Sequence, residues 1–151
     1  MFLRYLFLYL FSLVPVVEGR YALGYAVSKG LDPAISLLVV CLGTSTLAIA
    51  LSLAFPKIDS IFSRSKGKIG ELYARVIKRL REKVRPYVEK YGALGLTIFV
   101  AVPLPVTGVW TGGIAAYLLG LGRKALIPLL LGGLISNLIS FAVLHPFWAV
   151  S

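Results

Sequence analysis

The chain has 151 residues, of which 58% are hydrophobic and 15% are charged, and its mean hydropathy is +0.88. A soluble domain carries about 45–50% apolar and about 25% charged residues, so this composition predicts a lipid environment and excludes disorder or a disulfide scaffold. The formal net charge is +10, but eleven of the 16 Lys and Arg residues lie between positions 57 and 90. This clustering is typical of a membrane protein with one basic loop, and we expect no nucleic-acid partner.

The first apolar stretch covers residues 2–17, is followed at once by Glu18, Gly19 and Arg20, and then continues as an apolar run to residue 27. Each arm of about 12–16 residues reaches only ~18–24 Å, which is less than the roughly 30 Å of a bilayer core. Two short arms joined at a polar tip predict a re-entrant hairpin. Such backbone is tolerated at depth only where other helices or a wet cavity satisfy it.

The next element is an uncharged stretch over residues 33–55. A helix of this length reaches about 35 Å, which is enough to cross the bilayer core. We therefore predict a transmembrane helix here.

Residues 57–91 form a basic linker between the two apolar blocks. Within it, residues 67–91 have helical periodicity, with apolar side chains on one stripe and Lys and Arg on the other face. This pattern predicts an amphipathic helix that lies on the cytoplasmic leaflet or caps the hairpins, and Pro86 should kink or end it. Its Lys and Arg residues are candidates to bind anionic lipid headgroups. A charged face that only orients the protein, or one that recruits a partner, explains the pattern equally well.

The second apolar block repeats the order of a broken stretch followed by a span. Residues 93–122 are interrupted by Pro and Gly, and residues 125–144 form the second predicted transmembrane helix. If 93–122 turns back, Arg123 and Lys124 lie on the same side as the basic linker, as the positive-inside rule favours. The alternative is a four-helix protein with two proline-kinked helices.

The two blocks also resemble each other. Comparing residues 15–47 with 105–137 gives six identities over 33 positions. One span separates the two predicted hairpins, so the second hairpin enters from the opposite face, as in many transporters. Chance matching of Gly-rich apolar sequence is the alternative. Small residues that permit close helix packing recur in register, as Ala22, Ala26 and Gly30 in the first block and Gly112, Ala116 and Gly120 in the second.

The candidate site lies at the hairpin tips. An ionisable residue at membrane depth is costly, which makes Glu18 and Arg20 functional candidates. Glu18 could carry a proton or bind a cation, and Arg20 could hold an anion bidentately. A purely structural pair that satisfies broken backbone is the alternative, and Trp110 could serve only in packing. The full candidate set is Glu18, Arg20, Pro15, Pro103, Pro105, Thr107, Gly108, Trp110, Thr111, Gly112 and Asn137.

Two segments carry a resemblance to a known family. Residues 103–116 read PLPVTGVWTGGIAA, and residues 15–20 read PVVEGR. Together they resemble the small multidrug export protein family, which is related to the DedA (SNARE-associated, VTT-domain) membrane proteins. The resemblance implies two facing re-entrant hairpins, each followed by a transmembrane helix, and a transport role. Residues 108–110 lack the charges of the second DedA hairpin, so proton coupling of the DedA kind is not carried over.

These observations predict an all-α integral membrane protein: an inverted repeat of re-entrant hairpin plus transmembrane helix, joined by a basic amphipathic helix. The whole chain would form one domain, with repeats at about 1–55 and 92–151. We expect a multi-pass exporter or lipid translocase of the cell membrane, with a small amphiphilic or anionic substrate. A non-transporting scaffold or lipid-organising protein is the alternative. With a single cysteine and a single histidine we expect no metal or cofactor, and no motif indicates an enzyme. Two spans enclose little space, so a homodimer is expected.

Overall fold

The computed structural model describes residues 1–15, 17–64, 67–104 and 107–149 and, within these, all side chains except 62, 63, 69, 80 and 83–89. This part of the chain forms α-helices and one 3-10 turn, with no strand. The helices are α1 (Phe2–Leu13), α2 (Glu18–Ser28), α3 (Pro33–Arg64), α4 (Lys68–Ala101), α5 (Val109–Leu118) and α6 (Leu126–Trp148), and the 3-10 turn is Gly122–Ala125.

The helices α1 and α2 form a short antiparallel hairpin whose tip is residues 14–17. The backbone N–H of Asp32, just beyond α2, donates to the Tyr5 hydroxyl near the start of α1 at 3.2 Å. Farther toward the tip, the rings of Phe7 and Tyr25 lie 5.2 Å apart. The break lies just before the predicted tip at Glu18 and Arg20, because α1 ends at Leu13 and Glu18 is already the first residue of α2.

The second hairpin consists of the last part of α4 and of α5, with residues 102–108 as its tip. Of the two alternatives for Pro86, a kink or a helix end, the helix end is wrong: the linker helix continues past this residue, and its departure from helical backbone falls at Gly92, with φ 47. Glycine adopts a positive φ without steric cost, so Gly92 is the easier place for the bend. In this hairpin Gly112 lies close to Val100: a Cβ atom added to Gly112 would lie 2.3 Å from Val100 Cγ2.

The long helices α3 and α6 are each long and apolar enough to cross a membrane. The expected spans 33–55 and 125–144 are both present, and α3 continues past Pro56 to Arg64. The two helices run antiparallel, because Thr44 contacts Asn137 at their middle while Leu31, just before α3, contacts Trp148 at the end of α6. They form the frame on which both hairpins pack.

In α3 and α6, large apolar side chains are exposed and polar side chains are buried, which is the reverse of the usual pattern in a soluble protein. The large apolar side chains Leu38, Leu131 and Val143 are exposed, by 61%, 50% and 64%. Contiguous exposed apolar surface of this kind marks a membrane or protein contact. The buried polar residues of the two helices are Ser36, Thr44, Ser52, Ser136, Asn137 and Ser140.

The helices α2 and α5 end in the same kind of turn, 90 residues apart in the chain. Gly30 and Gly120 adopt left-handed conformations, with φ 58 and φ 68. In each turn the residue after the glycine donates its N–H to a carbonyl five residues earlier, which is the Schellman bond. These two bonds, from Leu31 to Ala26 and from Leu121 to Ala116, are both 3.0 Å long.

The two equivalent turns lie at opposite ends of the α3–α6 frame. The first is held by the indole of Trp148, which donates to the Leu31 carbonyl at 2.8 Å. The second lies beside the far end of α3, where the Tyr117 hydroxyl donates to Asp59 Oδ1 at 3.3 Å. Each hairpin therefore starts from its own end of the frame, and the tips meet between them.

Candidate functional site

The carboxylate of Glu18 joins the two hairpin tips. Its Oε2 atom accepts the backbone N–H of Val109 at 3.2 Å, and its Oε1 atom accepts that of Trp110 at 2.9 Å. Both N–H groups belong to the first turn of α5, which has no carbonyl partners of its own for them. Glu18 therefore caps a helix of the opposite hairpin and places its negative charge at the positive end of the helix dipole.

Arg20 extends this contact to the part of the second tip that follows α4. Its guanidinium donates through Nη1 to the carbonyl of Leu104 and lies 3.5 Å from Glu18 Oε2 through Nη2. The side chains of Arg20 and Glu18 are only 12% and 11% exposed. This arrangement is a mostly buried ion pair whose remaining bonds all go to backbone.

Two further residues of the second hairpin, Trp110 and Thr107, complete the hydrogen-bond network. The Trp110 indole N–H donates at 2.9 Å to the carbonyl of Leu13, which α1 leaves free at its end. The Thr107 hydroxyl accepts the Leu104 N–H at 3.1 Å and donates to the Val102 carbonyl, within its own tip. Each hairpin thus supplies side chains that satisfy the backbone of the other.

Two glycines make this close approach possible. A Cβ atom on Gly108 would lie 2.0 Å from Glu18 Oε2 and 2.7 Å from Arg20 Nη2. A Cβ atom on Gly19 would lie 2.2 Å from Asn137 Oδ1 and 2.7 Å from Val40 Cγ1. Any larger residue at either position would push the first tip away from its partner.

The middle of α3 and α6 forms the wall behind the tips. Asn137 donates through Nδ2 to the Thr44 hydroxyl at 2.8 Å, and both residues are buried. The Ser136 hydroxyl is buried and has no hydrogen-bond partner among the described residues. A polar wall at this depth gives a ligand or a water molecule places to bond.

The space enclosed by these residues is small. The tip cavity, lined by Glu18, Arg20, Thr44, Ser136 and Asn137 among others, has a volume of about 10 Å³. This volume is roughly what one water molecule needs. The ion pair and the tip backbone therefore fill most of the space between the two hairpins.

Glu18 also has an unusual backbone conformation. Its φ is 46, the only left-handed value of a non-glycine residue in the described part of the chain. Such a conformation costs about 1–3 kcal/mol and persists only where the surroundings enforce it. The two α5 bonds provide this enforcement, so the strain would help to release Glu18 once those bonds are broken.

The structure brings together part of the predicted set. Glu18, Arg20, Gly108, Trp110 and Asn137 meet at the tip cavity or bond directly across it. Thr107 forms hydrogen bonds within its own tip. Thr111 bonds the Gly108 carbonyl at 3.3 Å, Gly112 packs against Val100, Pro15 and Pro103 are exposed, and Pro105 lies outside the described residues.

Sequence reasoning left several site residues out of the candidate set. Thr44 and Ser136 were recognisable as polar residues within apolar spans, and Gly19 as the residue between the two charges. The carbonyls of Leu13 and Leu104 carry no such signal, since every residue has a carbonyl. Among the described residues no group of His, Cys, Asp and Glu side chains could hold a metal ion.

Comparison with known proteins gives one family. A family model described as "Putative small multi-drug export protein" matches residues 18–139, which begin at Glu18 and include the second tip, the linker and most of both long helices. No curated protein and no solved structure gives a significant match.

Proposed function

Because the chain belongs to the small multi-drug export protein family, we propose that it exports a small anionic or amphiphilic molecule through a site where the hairpin tips meet. The family and the two long apolar helices identify a membrane protein. The observation that carries the proposal is the Glu18 carboxylate, which is buried between hairpins and bonded to the backbone of α5. Ionisable side chains in this position in membrane proteins mark substrate or ion pathways.

We place both hairpins as re-entrant elements of a multi-pass protein in the cell membrane. Helices of 10–12 residues, such as α1, α2 and α5, reach only about 15–18 Å and do not cross a bilayer. The 3-10 turn with Arg123 and Lys124 borders the same cavity as Asp59 and Arg81 of the linker region. The basic residues therefore collect at one end of the molecule, which the positive-inside rule assigns to the cytoplasm.

The two halves fit an inverted repeat. Three features support it: the Schellman turns at an offset of 90 residues, their positions at opposite ends of the frame, and the meeting of both tips near Thr44 and Asn137. In transporters of this architecture the site lies near the bilayer midplane, and access alternates as the halves rock. The position of the tip cavity beside Thr44 and Asn137, at the middle of α3 and α6, supports the same placement here.

The chemistry of transport follows from what a ligand must displace. An anion would compete with Glu18 for the N–H groups of α5 and for Arg20, and a helix N-terminus with an arginine beside it is a favourable anion site. The substrate would therefore bind to an opened form in which the bonds of Glu18 to α5 are broken.

Flux through proteoliposomes tests the proposal. The probes are anilinonaphthalene sulfonate, an amphiphilic anion, and ethidium, an amphiphilic cation. We expect the wild-type chain to transport the anion, and Glu18→Gln and Arg20→Ala each to reduce that flux at least tenfold. Glu71→Gln, an exposed acid of the linker, is the matched control and should leave the flux unchanged.

A non-transporting scaffold is the second candidate. It is favoured by one observation: among the described residues, the hydrogen bonds of Glu18 and Arg20, apart from the one they share, all go to backbone atoms. Two results would support this scaffold role and overturn the transport site. The first is that folded wild-type protein transports neither probe, and the second is that folded Glu18→Gln and Arg20→Ala variants keep the wild-type flux.

We also propose that the linker helix lies against anionic lipid. Leu72 and Val76 are 61% and 45% exposed, so this part of the apolar stripe is not covered by the protein. The basic residues Lys68, Arg75, Lys78 and Arg79 are also exposed. An apolar face flanked by cations fits the headgroup region, where each Lys or Arg contributes about 1 kcal/mol.

A further inference from the structure

A second cavity lies at the end of the molecule where α3, the linker part of α4 and the turn between α5 and α6 meet. Its volume is about 120 Å³, several times what one water molecule needs. Leu51, Phe55 and Leu129 form its apolar walls, and Asp59 and Arg81 lie in its polar part. We call it the linker cavity.

The linker cavity is distinct from the tip cavity. Buried side chains of the apolar core, including Leu47, Val100 and Val109, line the tip cavity, while Leu51 and Leu129 of the same core line the linker cavity. A molecule could therefore enter the linker cavity without any opening of the hairpin tips.

Asp59 is the centre of the polar part. Its Oδ1 atom accepts hydrogen bonds from the Tyr73 hydroxyl at 3.1 Å, the Tyr117 hydroxyl at 3.3 Å and Arg81 Nη2 at 3.3 Å. The guanidinium of Arg81 also lies 5.7 Å from the centroid of the Tyr117 ring. The charge of Asp59 is thus neutralised by Arg81, and its Oδ1 atom already has three donors.

Arg81 retains one donor that no described residue uses. Its side chain is 38% exposed, yet its Nε–H is buried and has no hydrogen-bond partner in the described part of the chain. A buried donor without an acceptor is destabilising, and an arginine can serve two acceptors because its N–H groups point in different directions. This N–H therefore points to an acceptor that is not part of the described chain.

The charge around the cavity favours an anionic acceptor. Gly122 and Ala125 line the cavity, and the residues between them in the 3-10 turn are Arg123 and Lys124. Arg81 therefore pairs with Asp59 in the cavity, and the exposed Arg123 and Lys124 lie in the turn beside it. A cationic ligand would meet a carboxylate that Arg81 already neutralises, whereas an anion would meet the free Nε–H.

We propose that the linker cavity binds a small phosphate-type headgroup of an amphiphile, with the headgroup on Arg81 and the apolar chain against Phe55, Leu51 and Leu129. This site is additional to the transport site at the tips and stands or falls separately from it. A ligand there would bridge α3, the linker helix and the turn before α6, so its binding would fix the linker against the membrane part.

Calorimetric titration of the full chain in phosphatidylcholine nanodiscs tests this site. The probes are dodecyl phosphate, inorganic phosphate and dodecyl trimethylammonium, each corrected for its uptake by empty nanodiscs. We expect saturable binding of dodecyl phosphate, at least tenfold weaker binding of inorganic phosphate, and no binding of the cation. Inorganic phosphate that binds as tightly as the alkyl phosphate, or tighter binding of the cation, would overturn the proposal.

Variants separate the cavity from the basic surface. Arg81→Gln combined with Asp59→Asn leaves no unpaired charge and should weaken dodecyl phosphate binding at least tenfold. Arg79→Gln removes an exposed charge on the same helix and should change the affinity only severalfold. Arg81→Lys keeps the charge without the Nε–H, and it provides a second test if the double variant does not fold. Equal losses for Arg79→Gln and the cavity variants would assign binding to the surface and refute the site.

Discussion

Glu18 and Trp110 are 92 positions apart in the chain, and Glu18 Oε1 accepts the backbone N–H of Trp110 at 2.9 Å. In return, the indole of Trp110 donates to the carbonyl of Leu13 at the end of the first hairpin's α1. If the tips lie in the bilayer core, as we propose, no water is present there for unpaired backbone groups, and neither tip would move away unless something replaced these bonds. The opening of one tip and the opening of the other are therefore coupled.

The first prediction concerns the contribution of Glu18 to stability. Glu18→Ala removes two charge-assisted bonds to the first turn of α5, and we expect it to lower the free energy of unfolding by about 2 kcal/mol. Glu18→Gln keeps the shape of the side chain and should cost about 1 kcal/mol. Unfolding in mixed micelles measures both values. A loss no larger than that of Glu71→Gln would contradict the capping role.

The second prediction concerns the close approach at Gly108. Gly108→Ala places a methyl group 2.0 Å from Glu18 Oε2, so we expect a loss of about 1–3 kcal/mol and loss of flux. Gly24→Ala is the matched control, because Gly24 lies inside α2 and a Cβ atom there would meet nothing within 4 Å. That variant should retain flux and equal or exceed the wild type in stability. Equal flux in the two variants would disprove the steric argument.

How far these features are predictable from sequence depends on their range along the chain. Hydropathy and length are local, and they predict both long helices and a break in each of the other two apolar stretches, although the first break lies just before the predicted tip at Glu18 and Arg20. The position of the bend in the linker helix is harder to predict, because both glycine and proline favour a bend. Gly92 takes the bend, while the helix continues through Pro86.

Some long-range contacts can be predicted from the sequence and others cannot. The meeting of Glu18 with residues 108–110 follows from placing two tips opposite each other, so the sequence indicates it. The cluster of Asp59 with Tyr73 and Tyr117 does not follow, because it depends on α3 continuing past Pro56 to reach two other helices. Periodicity gives the face of a helix but not the element that covers it.

A third prediction compares the two tryptophans. Trp110 and Trp148 each donate an indole N–H to a backbone carbonyl, at 2.9 Å and 2.8 Å. Each change to Phe removes one such bond, and we expect each to cost about 1 kcal/mol. Only Trp110→Phe should reduce flux, because only that bond crosses the tips. If Trp148→Phe reduces flux as strongly, the bond between the tips has no special role in transport.

A fourth prediction concerns Tyr73 and pH. Burial and the hydrogen bond to Asp59 raise the pKa of Tyr73 above its ordinary value. The neutral phenol donates this bond, so its stabilising contribution is present at neutral pH and is lost as the pH rises through the folded-state pKa. The difference in ultraviolet absorbance between wild type and Tyr73→Phe during an alkaline titration reports this group alone.

The control for Tyr73 uses two acids. Asp59→Asn removes the acceptor charge and should shift the Tyr73 titration to lower pH, while the remaining burial keeps part of the effect. Asp32→Asn changes an acid that bonds the N–H of Ile35 at the start of α3 and should leave the titration unchanged. A Tyr73 titration that Asp59→Asn leaves in place would show that the hydrogen bond does not cause the raised pKa.

The last prediction concerns the membrane topology, which decides between re-entrant hairpins and crossing helices. In a Cys41→Ala background, we expect Lys78→Cys and Arg123→Cys to be labelled by an impermeant maleimide from the same side of the membrane, and Lys29→Cys from the opposite side. The reason is geometric: the turn with Arg123 borders the cavity that Arg81 lines, whereas Lys29 lies in the turn beside Leu31 and Trp148, at the far end of the frame. If residues 93–122 crossed the bilayer, positions 78 and 123 would be labelled from opposite sides. Such a result would remove the basis for placing both tips, and with them Glu18 and Arg20, at the middle of the membrane.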